Sequence, residues 1–406
     1  MIKKVKTEDL RLGMYIHDLN VPWLEHGFVI SHFLLQYEKQ IEKIVSANIL
    51  EVLIDTERGL DAEHAPTFEE AESLLMDKMI DAVADNSNEA MASELKVHWA
   101  ESRQIHSEAL KTVSNILKDV RIGKQANIKK ATPVVASIAD AILSNDGTLV
   151  SLCRIKNRDA YTFQHSVSVS ALLITLCNSL KRFSKSELIE IGIGGLFHDV
   201  GKMKVPDEIL NKPGRLTDEE FVVMRTHVNE GLQYLRTEHL LSNSALRVAA
   251  EHHERYDGTG YPLGLSNDNI SLVGQMASIV DVYDAITSIR IYHTALEPSV
   301  ALKRIFEWAG RHFDETLVQN FIKAIGIYPV GSLVRLKSGK LAVVLRQGDE
   351  NLLQPFVRIV YNASRGHRLP PQDFNLASPN CQDYIVGYEL PESWGIDPIK
   401  FIGKGT

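Results

Sequence analysis

Residues 191–202 read IGIGGLFHDVGK, an apolar and small-residue run that closes on His198-Asp199 and leads into Val200-Gly201-Lys202. The run has the texture of a buried helix, and an adjacent His and Asp at its end can both reach one point. A carboxylate placed there has two oxygens with which to bridge two cations. Upstream, YTFQHSVSVSALLITL (161–176) sets Val169, Leu172 and Leu176 at i+4, i+7 and i+11 from His165, so that imidazole lies on the apolar face of a second helix.

Working outward, His227 falls in EEFVVMRTHVNEGL, three residues after Met224 and four before Gly231, again on an inward face. His252-His253 is a doublet followed by Glu254, Arg255 and a Gly-rich turn, and Asp281 lies in ASIVDVYDAITS beside Ala277 and Asp284 at helical spacing. Taken singly, each has an ordinary explanation: a packed core histidine, a surface His pair, a helical acid. Together they read differently. A carboxylate among Ile, Val and Ala is costly to bury unless paired or metal-bound. Imidazole and carboxylate without thiolate suit Mn, Fe, Co, Ni or Zn in a reactive rather than a structural site. Seven such donors exceed what one octahedral ion takes but suit two ions that share an aspartate and keep positions open. Two such ions generate hydroxide near neutral pH and clamp the entering and leaving oxygens of a phosphoryl displacement. Lys202 and Arg290 stand close enough in sequence to hold phosphate oxygens.

The rest of the chain frames this region. Its 406 residues predict two to three domains. Hydrophobic residues at 44% and charged residues at 24% fit a folded protein. A net charge of −8 argues against a large nucleic acid or an anionic membrane as partner. Cys153, Cys177 and Cys381 match no zinc spacing and cannot all pair, and neither a leader's apolar core nor a long apolar run is evident. A cytoplasmic protein without membrane insertion is the expectation. Residues 1–60 predict a small α+β unit. Residues 61–132 read as a helical linker region, because Thr67–Ile122 contains no Gly or Pro and Asp61–Lys96 holds ten acidic residues against two lysines. Residues 133–327 predict helices almost throughout, with a capping box at Thr217–Glu220 starting one of them. Residues 328–406 predict a small β-rich unit from Leu333–Leu336, Leu341–Leu345 and Phe356–Tyr361.

The segments HDVGK, His227, HHERYDGTGYP and DVYDAITSIRIY together closely resemble the HD-GYP family of HD phosphohydrolases. What the resemblance implies is a mainly α protein: an all-helical core with a small α+β domain ahead of it and a short β unit behind. It also implies two divalent metal ions, iron or manganese, and hydrolysis of the second messenger cyclic di-GMP to pGpG and in many members onward to GMP, by a metal-bridging hydroxide. Carried over by position, the metal ligands fall on His165, His198, Asp199, His227, His252, His253 and Asp281, with Asp199 bridging. The phosphate-gripping residues fall on Lys202 and Arg290, and the GYP tyrosine on Tyr261, near the substrate. Asp199 and Lys202 are thereby the catalytic candidates. Where some members hold a third metal with glutamate, this chain has Tyr161, so a binuclear centre is expected. The first sixty residues also look like the domain of unknown function that often precedes such cores. Two rival readings are hydrolysis of cyclic GMP-AMP and a catalytically silent signalling module that binds a cyclic dinucleotide. A homodimer and signalling partner proteins remain open at this level.

Overall fold

The computed structural model describes residues 1–20, 32–47, 49–68, part of 70–79, 99–124, 127–144, 147–153, 161–212, 214, 216–237, 241–288, 296–348 and 351–402. The chain divides into two compact units, Met1–Ala82 with Asp207–Val222, and Val83–Pro206 with Val223–Thr406.

In the first unit, strands β1 (Ile2–Lys6), β2 (Tyr15–Asp18), β3 (Phe33–Leu34) and β4 (Glu51–Asp55) form an antiparallel sheet in the order β1-β4-β2-β3. The helix of this α+β unit is Glu38–Ser46. Its first turn is closed by the Gln40 side chain, which accepts the backbone N–H groups of Gln36 and Tyr37 at 2.8 and 2.9 Å. The core gathers Val5, Ile16, Leu35, Ile44, Val52 and Ile54. Strand β1, IKKVK, has no clean alternation to announce it. It forms because β4 offers a full edge, and Lys3 buries its stem while its ammonium reaches Asp61 at 2.8 Å and the Ala62 carbonyl at 3.0 Å.

The second unit is built on the helices Trp99–Arg121, Thr132–Leu143, Gly147–Cys153, Tyr161–Ser179, Lys185–Phe197, Asn243–Glu251, Leu272–Ile286, Pro298–Glu307 and Glu315–Ile325. The helix Asp218–Thr237 also contributes, beginning where the capping box places it: Glu220 accepts the Thr217 N–H at 2.7 Å, and Thr217 Oγ1 accepts the Glu220 N–H at 3.2 Å. Ser184 and Glu187 close the Lys185–Phe197 helix in the same way. That helix carries Gly192, Gly194 and Gly195 in its interior, at a cost in propensity. A Cβ at Gly192 would meet Ile174 at 2.6 Å, and one at Gly194 would meet the Ala245 backbone at 2.9 Å. The glycines let neighbouring helices close around the segment that delivers His198.

The linker reading is corrected in part. Most of the acidic run lies outside the described residues, but the helix Trp99–Arg121 buries Ala109, Val113, Ile116, Leu117 and Val120 along one stripe. An apolar stripe at that spacing makes it a member of the helical core rather than a solvated connector.

The β-rich end is an antiparallel sheet in the order β8-β7-β6-β5-β9, with β5 Leu333–Leu336, β6 Lys340–Arg346, β7 Phe356–Asn362, β8 His367–Asn375 and β9 Ile385–Tyr388. Strands β5 to β7 fall where the sequence puts them. Strand β8 contains Pro370-Pro371, which argues against a strand, and it escapes that argument by lying at the sheet edge. The prolines also fall in a bulge, since Ile359 pairs with Gln372 while Tyr361 pairs with Arg368. Among the described residues no helix is long and apolar enough to cross a membrane.

Candidate metal centre

Three histidines use one local device. His198 follows the helix Lys185–Phe197, His252 follows Asn243–Glu251, and His227 lies within Asp218–Thr237. Each places Nδ1 against the carbonyl three residues back: Gly195 at 2.7 Å, Ala249 at 2.9 Å and Met224 at 2.7 Å. A carbonyl can only accept, so each Nδ1 donates. In the neutral ring Nε2 then carries the lone pair and points away from its own helix.

His165 is fixed by a side chain instead. Its Nδ1 donates to Asp284 Oδ2 at 2.6 Å, and the other Asp284 oxygen accepts the Ser168 hydroxyl. His165 Nε2 thereby faces Asp281 Oδ1 at 3.1 Å and Asp199 Oδ2 at 3.5 Å. Asp199 is the common point. Its Oδ2 lies 3.3 Å from His198 Nε2, while its Oδ1 lies 3.3 Å from His227 Nε2 and 3.7 Å from His252 Nε2. Two donor groups result, His165–His198–Asp199 and Asp199–His227–His252–His253, overlapping at Asp199. Asp281 stands beside both, with Oδ2 3.8 Å from His253 Nδ1.

The seven expected donors are therefore brought together, nearly all of them buried. Lys202 pairs its ammonium with Asp199 Oδ2. Tyr261 stacks on His253, ring centroids 4.6 Å apart at 29°. Arg290 lies outside the described residues. Tyr161 begins the helix Tyr161–Ser179, and its side chain lies outside the description.

Electrostatics shows what the cluster demands. Burial works against ionised Asp199, yet Lys202 and the histidines hold its carboxyl well below the usual range. Asp281 behaves alike, with His165 and His198 outweighing burial. Burial also disfavours charged His198, but Asp199 and Asp281 push its pKa up to about 10. His252, under the same burial, falls to about 4, and His253 falls well below its ordinary value. The two carboxylates thus draw positive charge into a site where the neighbouring imidazoles resist protonation. The Nε2 atoms of His198, His227, His252 and His253 and Asp199 Oδ1 are all buried without a hydrogen-bond partner. Leaving so many polar atoms unsatisfied costs far more than a fold tolerates without compensation. Divalent cations would supply that compensation, and the imidazole–carboxylate donor set fits them.

Several contributors escape a reading of the sequence alone. Asp284 orients His165, and its position three residues after Asp281 on one helix face is the signal that could have found it. Glu254 is buried and accepts the N–H groups of Leu263 and Leu265 at 2.8 and 2.9 Å, so it shapes the loop that carries Tyr261. Gly201 matters for its missing side chain: a Cβ would lie 1.9 Å from the His227 carbonyl oxygen and 2.5 Å from Gly231 N. Gly260 likewise has no room, with His253 O at 2.5 Å.

Residues 152–317 match the HD domain family, and residues 2–131 match a domain of unknown function, DUF3391. The chain is 39% identical over 406 residues to the cyclic di-GMP phosphodiesterase PA4108 of Pseudomonas aeruginosa, covering all of this chain (100%) and 96% of that protein. It is 38% identical over 193 residues to a cyclic di-GMP phosphodiesterase of Vibrio cholerae, covering 44% of this chain and 39% of the relative. It is also 38% identical over 137 residues to the 3′3′-cGAMP-specific phosphodiesterase 2 of Vibrio cholerae, covering 34% of this chain and 26% of the relative. The HD domain match includes all seven clustered donors and the loop carrying Tyr261.

Proposed function

Because the chain belongs to the HD-GYP cyclic di-GMP phosphodiesterases, with DUF3391 ahead of its HD domain, we propose that it hydrolyses cyclic di-GMP to pGpG, with GMP as a further product. Two divalent ions, iron or manganese, would be held by His165, His198, Asp199, His227, His252, His253 and Asp281. When bound, such a pair lowers the pKa of water and neutralises charge on a phosphodiester. The observation that carries this reading is the convergence of the partnerless Nε2 atoms of His198, His227 and His252 on Asp199.

The protein's own contribution follows from the geometry. Asp199 turns one oxygen to each donor group, so a single carboxylate ties the halves of the site together. The Nδ1–H anchors keep the imidazoles from rotating, which removes reorganisation from the reaction. Lys202, beside Asp199, places an ammonium where a non-bridging phosphate oxygen gains charge as the ribose 3′-oxygen leaves, and Arg290 shares that role. Burial of Asp199, Asp281 and the histidines keeps bulk water from them and strengthens their electrostatic interactions. No covalent enzyme intermediate is required. Residues 133–327 carry the chemistry, and 1–60, 61–132 and 328–406 flank it.

The comparable identity to a cGAMP-specific relative keeps cyclic GMP-AMP as the second reading. Metal analysis and product chromatography on one anaerobic preparation test centre and reaction together. Two metals per chain with pGpG formed from cyclic di-GMP is the expected result. Faster turnover of cyclic GMP-AMP would shift the substrate, and a metal-loaded protein that binds cyclic di-GMP without cutting it would make the chain a silent module.

A further inference from the structure

Lys202 rides on a short 3-10 turn, Val200–Lys204, that follows His198-Asp199. Such turns have poor hydrogen-bond geometry, and their last carbonyls find no partner within the turn. Two outside contacts bracket Lys202. Ahead of it, Gly201 packs against the His227 carbonyl with no room for a side chain. Behind it, Arg121 Nη1 donates to the carbonyls of Met203 and Val205 at 3.4 and 3.5 Å. A cation at the closing carbonyls of a helical turn is favoured both by hydrogen bonding and by the dipole of the turn.

The sequence delivers Arg121 to this place by the way its own helix ends. The helix Trp99–Arg121 closes in a Schellman motif: the Lys124 N–H donates to the Asp119 carbonyl at 2.9 Å and the Gly123 N–H to the Val120 carbonyl at 3.0 Å. Gly123 takes the left-handed φ of +74° that this ending requires. Backbone N–H groups thus serve these closing carbonyls of the helix. Arg121 lies four residues after buried Leu117, so it continues the inward stripe, and its half-buried side chain extends across to the Lys202 turn. It stands ahead of the HD domain match and outside every motif that marks the centre.

We propose that Arg121 is a positioning residue for Lys202. By capping the Val200–Lys204 turn it fixes the backbone from which the ammonium reaches Asp199 and the reacting phosphate. Without the cap the ammonium and the metal ligands are still present, but Lys202 no longer stays where charge grows in the transition state. The inference rests on the proposed role of Lys202 in phosphodiester hydrolysis.

The test uses the full-length, metal-loaded protein with cyclic di-GMP. Arg121→Ala should lower kcat about three- to tenfold, the scale of one modest hydrogen bond, with KM and metal content unchanged. In a Lys202→Ala background the same substitution should add less than about twofold, because the group it positions is gone. Hydrogen exchange should show the Lys202 and Val205 amides opening about three- to tenfold faster, with the surrounding helices unaffected. Arg121→Lys, which keeps a cation at the cap, should fall between wild type and alanine, and it carries the same cycle if the alanine variant does not fold. Wild-type kcat, a loss carried by KM, a full loss in the Lys202→Ala background, released metal or unchanged exchange would each overturn the assignment. Failure of the functional reading is seen separately, in metal-loaded wild-type protein that leaves cyclic di-GMP intact; the exchange comparison then still decides whether Arg121 holds the turn.

Discussion

Replacing Asp284 by Asn probes the centre without touching any proposed ligand. Asn has the same shape, so its side-chain oxygen can still accept the His165 Nδ1–H that Asp284 accepts at 2.6 Å, and its amide can face Ser168. What disappears is the negative charge behind the imidazole. Asp284 is 2% exposed and His165 is equally buried, so solvent does not screen the loss. A hydrogen bond to a charged group contributes about 1.5–3 kcal/mol and a neutral one about 0.5–1.5 kcal/mol, so removing the charge while keeping the bond costs about 1–1.5 kcal/mol. At about 1.4 kcal/mol per factor of ten, that is about a five- to tenfold weaker metal site. Only the His165–His198–Asp199 group should weaken, because the side chain that Asp284 holds, His165, belongs to that group and not to the other. Chelator competition should therefore resolve two affinities, one reduced and one unchanged, with the apo protein's melting temperature nearly the same. In a His165→Ala background the Asn substitution should add little, since its partner is already gone. Wild-type affinity at both sites, or an undiminished loss in the His165→Ala background, would refute the reasoning.

Asp199→Ala should lose most bound metal and all detectable turnover, because Asp199 is a member of both donor groups; a variant that still holds two metals per chain removes Asp199 from the bridge. Lys202→Ala should keep its metal and lower kcat/KM by roughly ten- to a thousandfold, the scale of a lost transition-state contact; unchanged kinetics would make the ammonium a bystander. Gly201→Ala drives a methyl into the His227 carbonyl, so the helix must shift. It should cost about 1–3 kcal/mol in denaturant unfolding and weaken the His227 group's metal affinity, and an undisturbed variant would show that the backbone gives way more easily than its packing suggests. Two metals are expected at full occupancy, and anomalous scattering that shows three would refute the reasoning from Tyr161.

The residues that meet at the centre were legible because they are chemically costly. Seven histidines and aspartates set in apolar, inward-facing helical patterns have no economical purpose except one another, so type and spacing announce them before any coordinate does. Capping at Thr217 and strands β5 to β7 were legible for a related reason, since their determinants lie within a few residues in sequence. Strands β1 and β8 were not. One is accepted by the exposed edge of β4, and the other keeps its two prolines by lying at a sheet edge in a bulge, so both depend on neighbours that the chain meets only after folding. The same division holds in the site. Sequence alone determined which donors are present and that they face inward. Tertiary structure decided which oxygen of Asp199 faces which histidine, that Asp284 stands behind His165, that Gly201 yields its space to the His227 helix, and that Arg121 reaches the turn carrying Lys202. Those relations join residues tens of positions apart, and distance along the chain carries no information about contact until packing supplies it.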